Sequence, residues 1–388
     1  MNDFEEKVCL CALGKIFGFE PKTGTALIRH LGSAREVFRT GKEQLTDLLG
    51  PFSKHTASIR KAAVYEAEDE LKRLERQGID FVGWGQEGYP GLLEECPDAP
   101  LGLYIKSSTP ATELWKPSAS ISIVGTRDVS QYGKEWCRKT VAELASSEDK
   151  PVIISGLALG TDICAHKAAI EFGLPTIAVM ATGPDDVYPY RHSAFADMLC
   201  KTPGCALVTD YPPGTPPLPI HFLRRNRIIA GLSKATILIE SKLKGGGMMT
   251  ARLAFSYDRD VYALPGRVDD IRSQGCNSLI SSKIAEPMTD IRSLVGNLGF
   301  SKAAPGRTVS WSEIIESAYK DQTDPGHMSM MKDIMAIIQE ERGITIEELA
   351  QRMGIGYATA SNLITILEMD GFISTDLLQR CSIRIKKN

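Results

Sequence analysis

The sequence predicts an α/β protein: a Rossmann-like, doubly wound parallel sheet, with short helices before it and a winged-helix-like unit after it. Three observations carry this reading. Apolar, β-branched runs alternate with helical stretches across residues 118–296. Those runs are apolar throughout, which means burial on both faces, as in a parallel sheet with helices on each side. Near the end of the chain a helix-turn-helix pattern precedes a β-ribbon pattern.

Residues 1–75 read as short helices. The stretch 4–16 is apolar at helical spacing. Gly18, Pro21, Gly24, Gly32 and Gly50 punctuate the residues after it, and 57–77 makes a charged amphipathic helix. Short helices divided by glycine turns suit helix-hairpin-helix or sterile-alpha-motif-like modules, and more readily a generic packing domain. This module is expected over 1–80. The sheet domain is expected over 81–297, with strands at 120–125, 151–156, 176–181, 205–209, 235–241 and 260–264. Helices are expected between them at 134–146, 162–172, 191–199, 223–232 and 248–258. Residues 298–327 carry Gly, Ser, Pro, Asp and Lys with few apolar positions and read as a linker. The last unit, 328–388, is expected to hold helices at 328–341, 345–353 and 356–369 and a ribbon over 372–385. Thr345 serves there as N-cap and Gly354 sits in the turn.

A chain of 388 residues is too long for one small core. Its formal net charge is −3, so any polyanion contact must come from a local basic patch. No apolar run approaches a membrane span, and the start of the chain lacks a secretory signal. Nine cysteines without a Cys-x-x-Cys pair and six scattered histidines fit reduced thiols in a cytoplasm; neither a metal nor a cofactor is expected.

The chemistry concentrates in Phe222-Leu-Arg-Arg-Asn-Arg-Ile-Ile-Ala-Gly-Leu-Ser233. A guanidinium fits phosphate bidentately and stacks on bases, so Arg224, Arg225 and Arg227 around Asn226 point to nucleic acid. Surface ion pairing with some of the 48 acidic residues is the competing reading. In an open parallel sheet, ligands bind beyond the carboxyl ends of the strands. Those ends carry Gly125-Thr-Arg127, Ser155-Gly156 through Gly160-Thr-Asp162, Ala181-Thr-Gly183, Glu240-Ser241 with Lys242 and Lys244, and Pro265-Gly266. Glycines let backbone N–H groups approach phosphate, and helix starts present unpaired N–H groups. Neither nucleotide-binding glycine fingerprint is present. Asp162 is expected to cap the helix after it, and His166 to be packed rather than catalytic. No nucleophile elbow or catalytic triad stands out.

The run Ile123-Val-Gly-Thr-Arg127, then Ser155-Gly-Leu-Ala-Leu-Gly-Thr-Asp162 with Ala165-His166, Tyr211-Pro-Pro-Gly-Thr-Pro216, the arginine stretch, Gly246-Gly-x-x-Thr-Ala251, Pro265-Gly266 and Gly275-Cys-Asn277 resembles the bacterial DNA-processing family DprA, also called Smf. The upstream Tyr89-Pro-Gly-Leu-Leu with Pro97 and Pro100 is similar too. The resemblance implies an extended Rossmann-like, mostly parallel sheet between a helical domain and a winged-helix-like domain. It also implies a dimer that binds single-stranded DNA and helps load RecA recombinase during natural transformation. By the same resemblance Arg127 takes the basic position of a Gly-Ser-Arg turn, with Thr126 in place of Ser. Arg224, Arg225 and Arg227 take the arginine positions of the DNA pocket, and Phe222 the base-stacking position. Leu223 stands where Pro is common, and Gly245-Gly-Gly247 where a Ser-Gly-Ser segment is usual. The expected DNA-binding set is Gly125, Thr126, Arg127, Ser155, Gly156, Gly160, Phe222, Arg224, Arg225, Asn226, Arg227, Lys242, Lys244, Gly246, Gly247 and Thr250.

The expected function is therefore a non-enzymatic, cytoplasmic recombination mediator. Two other classes compete. A Rossmann-like hydrolase of nucleoside monophosphates needs a carboxylate near the sugar, and Glu240 is the candidate. A transcription factor needs a basic recognition helix, and 356–371 contains no Lys or Arg.

Overall fold

The computed structural model describes residues 3–116, 119–300, 311–320, 324–341, 343–376 and 379–383. Two compact units divide it, Met1–Ala303 and Ala304–Asn388.

The first unit is built on one nine-stranded sheet: β1 (Ile79–Gly83), β2 (Gly102–Ser107), β3 (Ser120–Val124), β4 (Val152–Ser155), β5 (Thr176–Val179), β6 (Ala206–Thr209), β7 (Ala235–Leu238), β8 (Asp260–Ala263) and β9 (Glu286–Pro287). Their order is β1-β2-β6-β5-β4-β3-β7-β8-β9. β1 and β2 pair antiparallel, as do β2 and β6; every other pairing is parallel. All six expected strands are present. β1, β2 and β9 are additions that the sequence reading missed.

The sheet is buried on both faces, as the continuous apolar runs require. Side chains of β3 alternate between two cores. Ile121 and Ile123 pack with Cys137, Val141 and Leu144 of helix Gln131–Ala145 and with Ala165 and Ala168 of helix Thr161–Glu171. Val124 points the other way. It shares a core with Ile228 and Ile229 of helix Pro219–Gly231 and Ala251 and Ala254 of helix Gly246–Ser256. β4 flanks β3 on one side and β7 flanks it on the other, so the chain reverses its winding at β3. This is a topological switch point, and the crevice beyond the carboxyl ends of β3 and β7 is where such folds take ligands.

Five helices, Asp3–Phe17, Pro21–Leu31, Ala34–Arg39, Lys42–Leu49 and Lys61–Glu75, precede the sheet. The expected division at residue 80 does not separate two cores. Leu10, Leu13 and Phe17 pack in one cluster with Phe81, Leu101 and Tyr104 of the antiparallel edge.

The expected linker at 298–327 is also corrected. Leu298 and Phe300 are buried in the core of the first unit. Trp311–Tyr319 is a helix whose Ile315 and Tyr319 are buried in the core of the second. Residues 301–310 and 321–323 of that stretch lie outside the described residues.

The second unit is a winged helix, with helices Pro325–Glu340, Ile346–Met353 and Tyr357–Met369 and an antiparallel ribbon, β10 (Ile373–Thr375) with β11 (Cys381–Ile383). Thr345 is the N-cap, in a capping box with Glu348, and Gly354 takes a left-handed conformation at the helix end (φ 66°). Both match the expectation, and a single Thr or Asp cap of this kind contributes about 1 kcal/mol. The basic residues Arg384, Lys386 and Lys387 lie outside the described residues.

Candidate nucleic-acid interface

A cleft of about 550 Å³ opens at the switch point. The turn after β3, the loop after β7 and helix Pro219–Gly231 form its walls, and their residues Gly125, Thr126, Arg127, Phe222, Arg225, Asn226, Lys242, Gly246, Gly247 and Thr250 line it. Ten of the expected DNA-binding residues therefore meet in one place.

The two loops are knitted together by backbone. Thr126 N–H donates to Glu240 O (2.7 Å), and Thr161 N–H donates to Thr126 O (3.1 Å). A Cβ on Gly247 would sit 2.7 Å from Leu238 Cδ1 and 3.1 Å from Gly125 Cα, and one on Gly125 2.5 Å from Thr161 Oγ1 and 2.9 Å from Glu240 O, so both close approaches call for glycine. Helix Gly246–Ser256 starts at the cleft without a side-chain cap; Met248 N–H donates to Gly245 O (3.2 Å), and the Gly246 and Gly247 N–H groups have no hydrogen bond among the described residues.

The arginines do not act as one cluster. Successive residues of an α-helix are turned by about 100°, so Arg225 leaves helix Pro219–Gly231 toward the cleft while Arg224 and Arg227, three residues apart, share another face. Arg224 faces the N-terminal helices. Its guanidinium donates to Gly18 O (2.6 Å) and Phe19 O (3.0 Å) and lies 4.0 Å from the centre of the Phe19 ring. Arg227 is buried, paired with Asp210 (2.5 Å), and donates to Asp98 O. Neither lines the cleft: the ion-pair reading describes Arg227, and Arg224 lines a neighbouring pocket with Phe19.

Arg225 does face the cleft, but it is 4% exposed rather than a free surface arm. It donates to Val179 O (2.7 Å), while its Nε–H has no partner among the described residues. Gly156 makes room for it: a Cβ there would lie 1.9 Å from Arg225 Nη1 and 2.3 Å from Asp162 Oδ2. Burial pushes the Arg225 guanidinium below its ordinary range, offset by the Asp162 carboxylate, while Arg127 adds to the lowering. Burial raises Asp162 in turn, offset by Arg225. Asp162 does not cap its helix as expected. The N-cap is Gly160, and Asp162 Oδ2 accepts from Ala158 N–H (3.3 Å) in the preceding loop.

Arg127 is exposed at the cleft mouth and has no hydrogen bond or ion pair among the described residues. Its guanidinium rests over the Phe222 ring, 5.0 Å from the centroid. Lys242 is exposed and lines the cleft; Lys244 is exposed on the same loop but outside the lining. Asp128, the acidic group at the rim, is engaged by Arg272 (3.3 Å). Asn226 Nδ2 lies 3.4 Å from Gly246 O, a weak contact that ties helix to loop.

Three expected site residues have structural work instead. The Ser155 hydroxyl is buried and donates to Ile123 O (2.6 Å). Gly156 and Gly160 pack beneath the cleft and do not line it. His166 is packed, as expected: Nε2–H donates to Gly156 O (2.6 Å) and Nδ1 meets Thr176 Oγ1 (2.6 Å). Glu240, the carboxylate that the hydrolase reading requires, is 1% exposed and accepts from Ser130 N–H (2.8 Å) and Ser130 Oγ–H (2.5 Å). It is sealed away from any substrate.

Sequence reasoning missed Tyr188, which lines the cleft opposite Phe222. The signal was the aromatic, proline and aromatic succession Tyr188-Pro-Tyr190 in the loop after β5, an unusual concentration of apolar rings in a turn.

Residues 80–299 match the family described as DNA recombination-mediator protein A, and residues 333–375 match the MarR family. The chain is 36% identical over 233 residues to Protein Smf of Escherichia coli (strain K12); the match spans 60% of this chain and 60% of that protein. Its structure resembles that of DNA processing protein A from Streptococcus pneumoniae, with a TM-score of 0.63 and 29% identity, covering 74% of this chain and 96% of the other. DNA processing protein A from Helicobacter pylori, solved for its single-stranded DNA binding mode, aligns with a TM-score of 0.50 and 28% identity over 56% of this chain and 95% of the other. Among the described residues no helix is long and apolar enough to cross a membrane.

Proposed function

This chain belongs to the DNA recombination-mediator protein A family, and we propose from that premise that its switch-point cleft binds single-stranded DNA. The observation that carries the proposal is Arg127, an exposed guanidinium without a protein partner, held over an aromatic ring beside a second, buried guanidinium. Asp162 offsets the Arg225 charge, whereas Arg127 has no ion-pair partner among the described residues and is left to an incoming anion. A phosphate at the cleft mouth takes Arg127 and Lys242, and the free N–H groups at the start of helix Gly246–Ser256 point at the same space. Lys244 joins from the same loop. No element of the cleft is shaped to enter a duplex groove, so recognition is largely independent of sequence. The single-stranded DNA binding mode studied in the Helicobacter pylori relative supports this reading.

The role is that of a recombination mediator in DNA uptake. The protein binds and protects the incoming strand without cleaving it, acts as a homodimer, and helps load RecA recombinase in the cytoplasm. The buried state of Glu240 supports binding over glycosidic hydrolysis.

A gel-shift comparison of single- and double-stranded oligonucleotides over a salt series tests the proposal. Single strands bind preferentially, and each phosphate contact contributes about 0.7 to the log–log salt slope. Equal affinity for duplex, or a flat response to salt, overturns it.

A further inference from the structure

The resemblance assigns base stacking to Phe222, but the ring is already engaged. The Arg127 guanidinium covers it at 5.0 Å and Tyr188 meets it edge to face, with centroids 5.5 Å apart and planes at 66°. Phe222 is half-buried between the two. Tyr188 shares that edge contact, but no cation covers its ring among the described residues. It lines the cleft and is 45% exposed, and its hydroxyl has no hydrogen bond among the described residues. Buried tyrosines place that hydroxyl on a partner; a ring left open beside a polyanion cleft is free to stack.

The loop that carries Tyr188 is anchored at both ends. Thr182 Oγ–H donates to Asp186 O (2.7 Å) before it. After it, the buried His192 bonds through Nδ1 to Leu157 O (2.9 Å), and its N–H donates to Pro189 O (2.9 Å). The ring is thus presented by fixed backbone, which limits the entropy lost on stacking.

We infer that Tyr188 is the nucleobase-stacking wall of this cleft, and that Phe222 is a positioning residue that acts through Arg127. The ligand class is an unpaired nucleobase of any identity, since every base has a π-face. Phe222 holds the Arg127 guanidinium flat by cation–π contact and so aims its N–H edge at a phosphate. The inference rests on the single-strand reading above and divides its work between the two rings.

The test compares two strands of equal length, an oligothymidylate and an abasic deoxyribose-phosphate strand, on the full chain. Tyr188→Ala weakens oligothymidylate binding roughly 5- to 100-fold. It leaves abasic binding and the salt slope unchanged, and Tyr188→Phe restores wild-type affinity. Phe222→Leu weakens both strands alike and flattens the salt slope. If Tyr188→Ala changes nothing, or weakens both strands equally, the assignment is overturned. It is equally overturned if Phe222→Leu gives the base-dependent loss. A wild-type chain that binds neither strand removes the DNA reading itself, and this inference with it; wild-type binding with an indifferent Tyr188→Ala removes only the inference.

Discussion

Arg127 and Arg225 face one cleft, yet their substitutions separate. Arg127 is exposed and touches only the Phe222 ring. Arg127→Ala is expected to lower the log–log salt slope by about 0.7 and weaken single-strand binding. Its stability should stay within about 0.5 kcal/mol of wild type, read from the thermal midpoint. Arg225 is buried and answers both the Val179 carbonyl and the Asp162 carboxylate. Arg225→Ala leaves that carbonyl unpaired and is expected to cost about 1–3 kcal/mol of stability in a denaturant titration as well as binding. An unchanged midpoint for Arg225→Ala contradicts its buried role. The sequence made these two residues look alike, because neighbouring letters carry no direction. Only the helix phase, and the strand ends on which it packs, decide that one guanidinium meets solvent and Asp162 meets the other. Arg224 and Arg227 were misread for the same reason.

At the scale of elements, legibility tracked burial. The six strands were visible because β3 to β7 are buried along their whole length, and β8 after Asp260, so that each reads as mainly β-branched and small residues with no charge inside it. β1 escaped because Asp80 interrupts it, with a salt bridge to Lys7 as the reason. β9 escaped because it is two exposed residues, one of them proline. The helix Thr161–Glu171 ties two strands through His166, which bonds to Gly156 O beyond β4 and to Thr176 of β5. Burial, chiefly, pushes this imidazole down from 6.5 to about 4. Above pH 6.5 both folded and unfolded chains hold it neutral, and its full contribution to stability is present. As pH falls, the unfolded chain takes up a proton that the folded chain refuses until about pH 4. Stability is therefore expected to drop by roughly 3 kcal/mol across that window. His166→Gln should flatten this part of the pH–stability curve; an unaltered curve would show that other groups carry the acid sensitivity.

The two units of the whole molecule have separate apolar cores. Every residue of the clusters that build the sheet unit lies at or before Phe300, and the winged-helix cluster runs from Ile315 to Cys381. Among the described residues, the lining of the cleft runs from Val124 to Thr250. The helix at the recognition position, Tyr357–Met369, carries no Lys or Arg, and the last unit pairs Lys332 with Glu316 and Arg352 with Glu341. A chain ending at residue 300 is accordingly expected to fold with a single cooperative transition. It should retain single-strand affinity within roughly tenfold of the full chain, a loss of no more than about 1.4 kcal/mol. The deleted unit then serves protein contacts or a minor phosphate contact, since a helix without cations has little to offer a duplex groove. A truncated chain that is folded by circular dichroism and calorimetry but no longer binds would move the main DNA site to the winged helix. It would also leave Arg127, exposed over the Phe222 ring and without an ion-pair partner among the described residues, with no anion to receive.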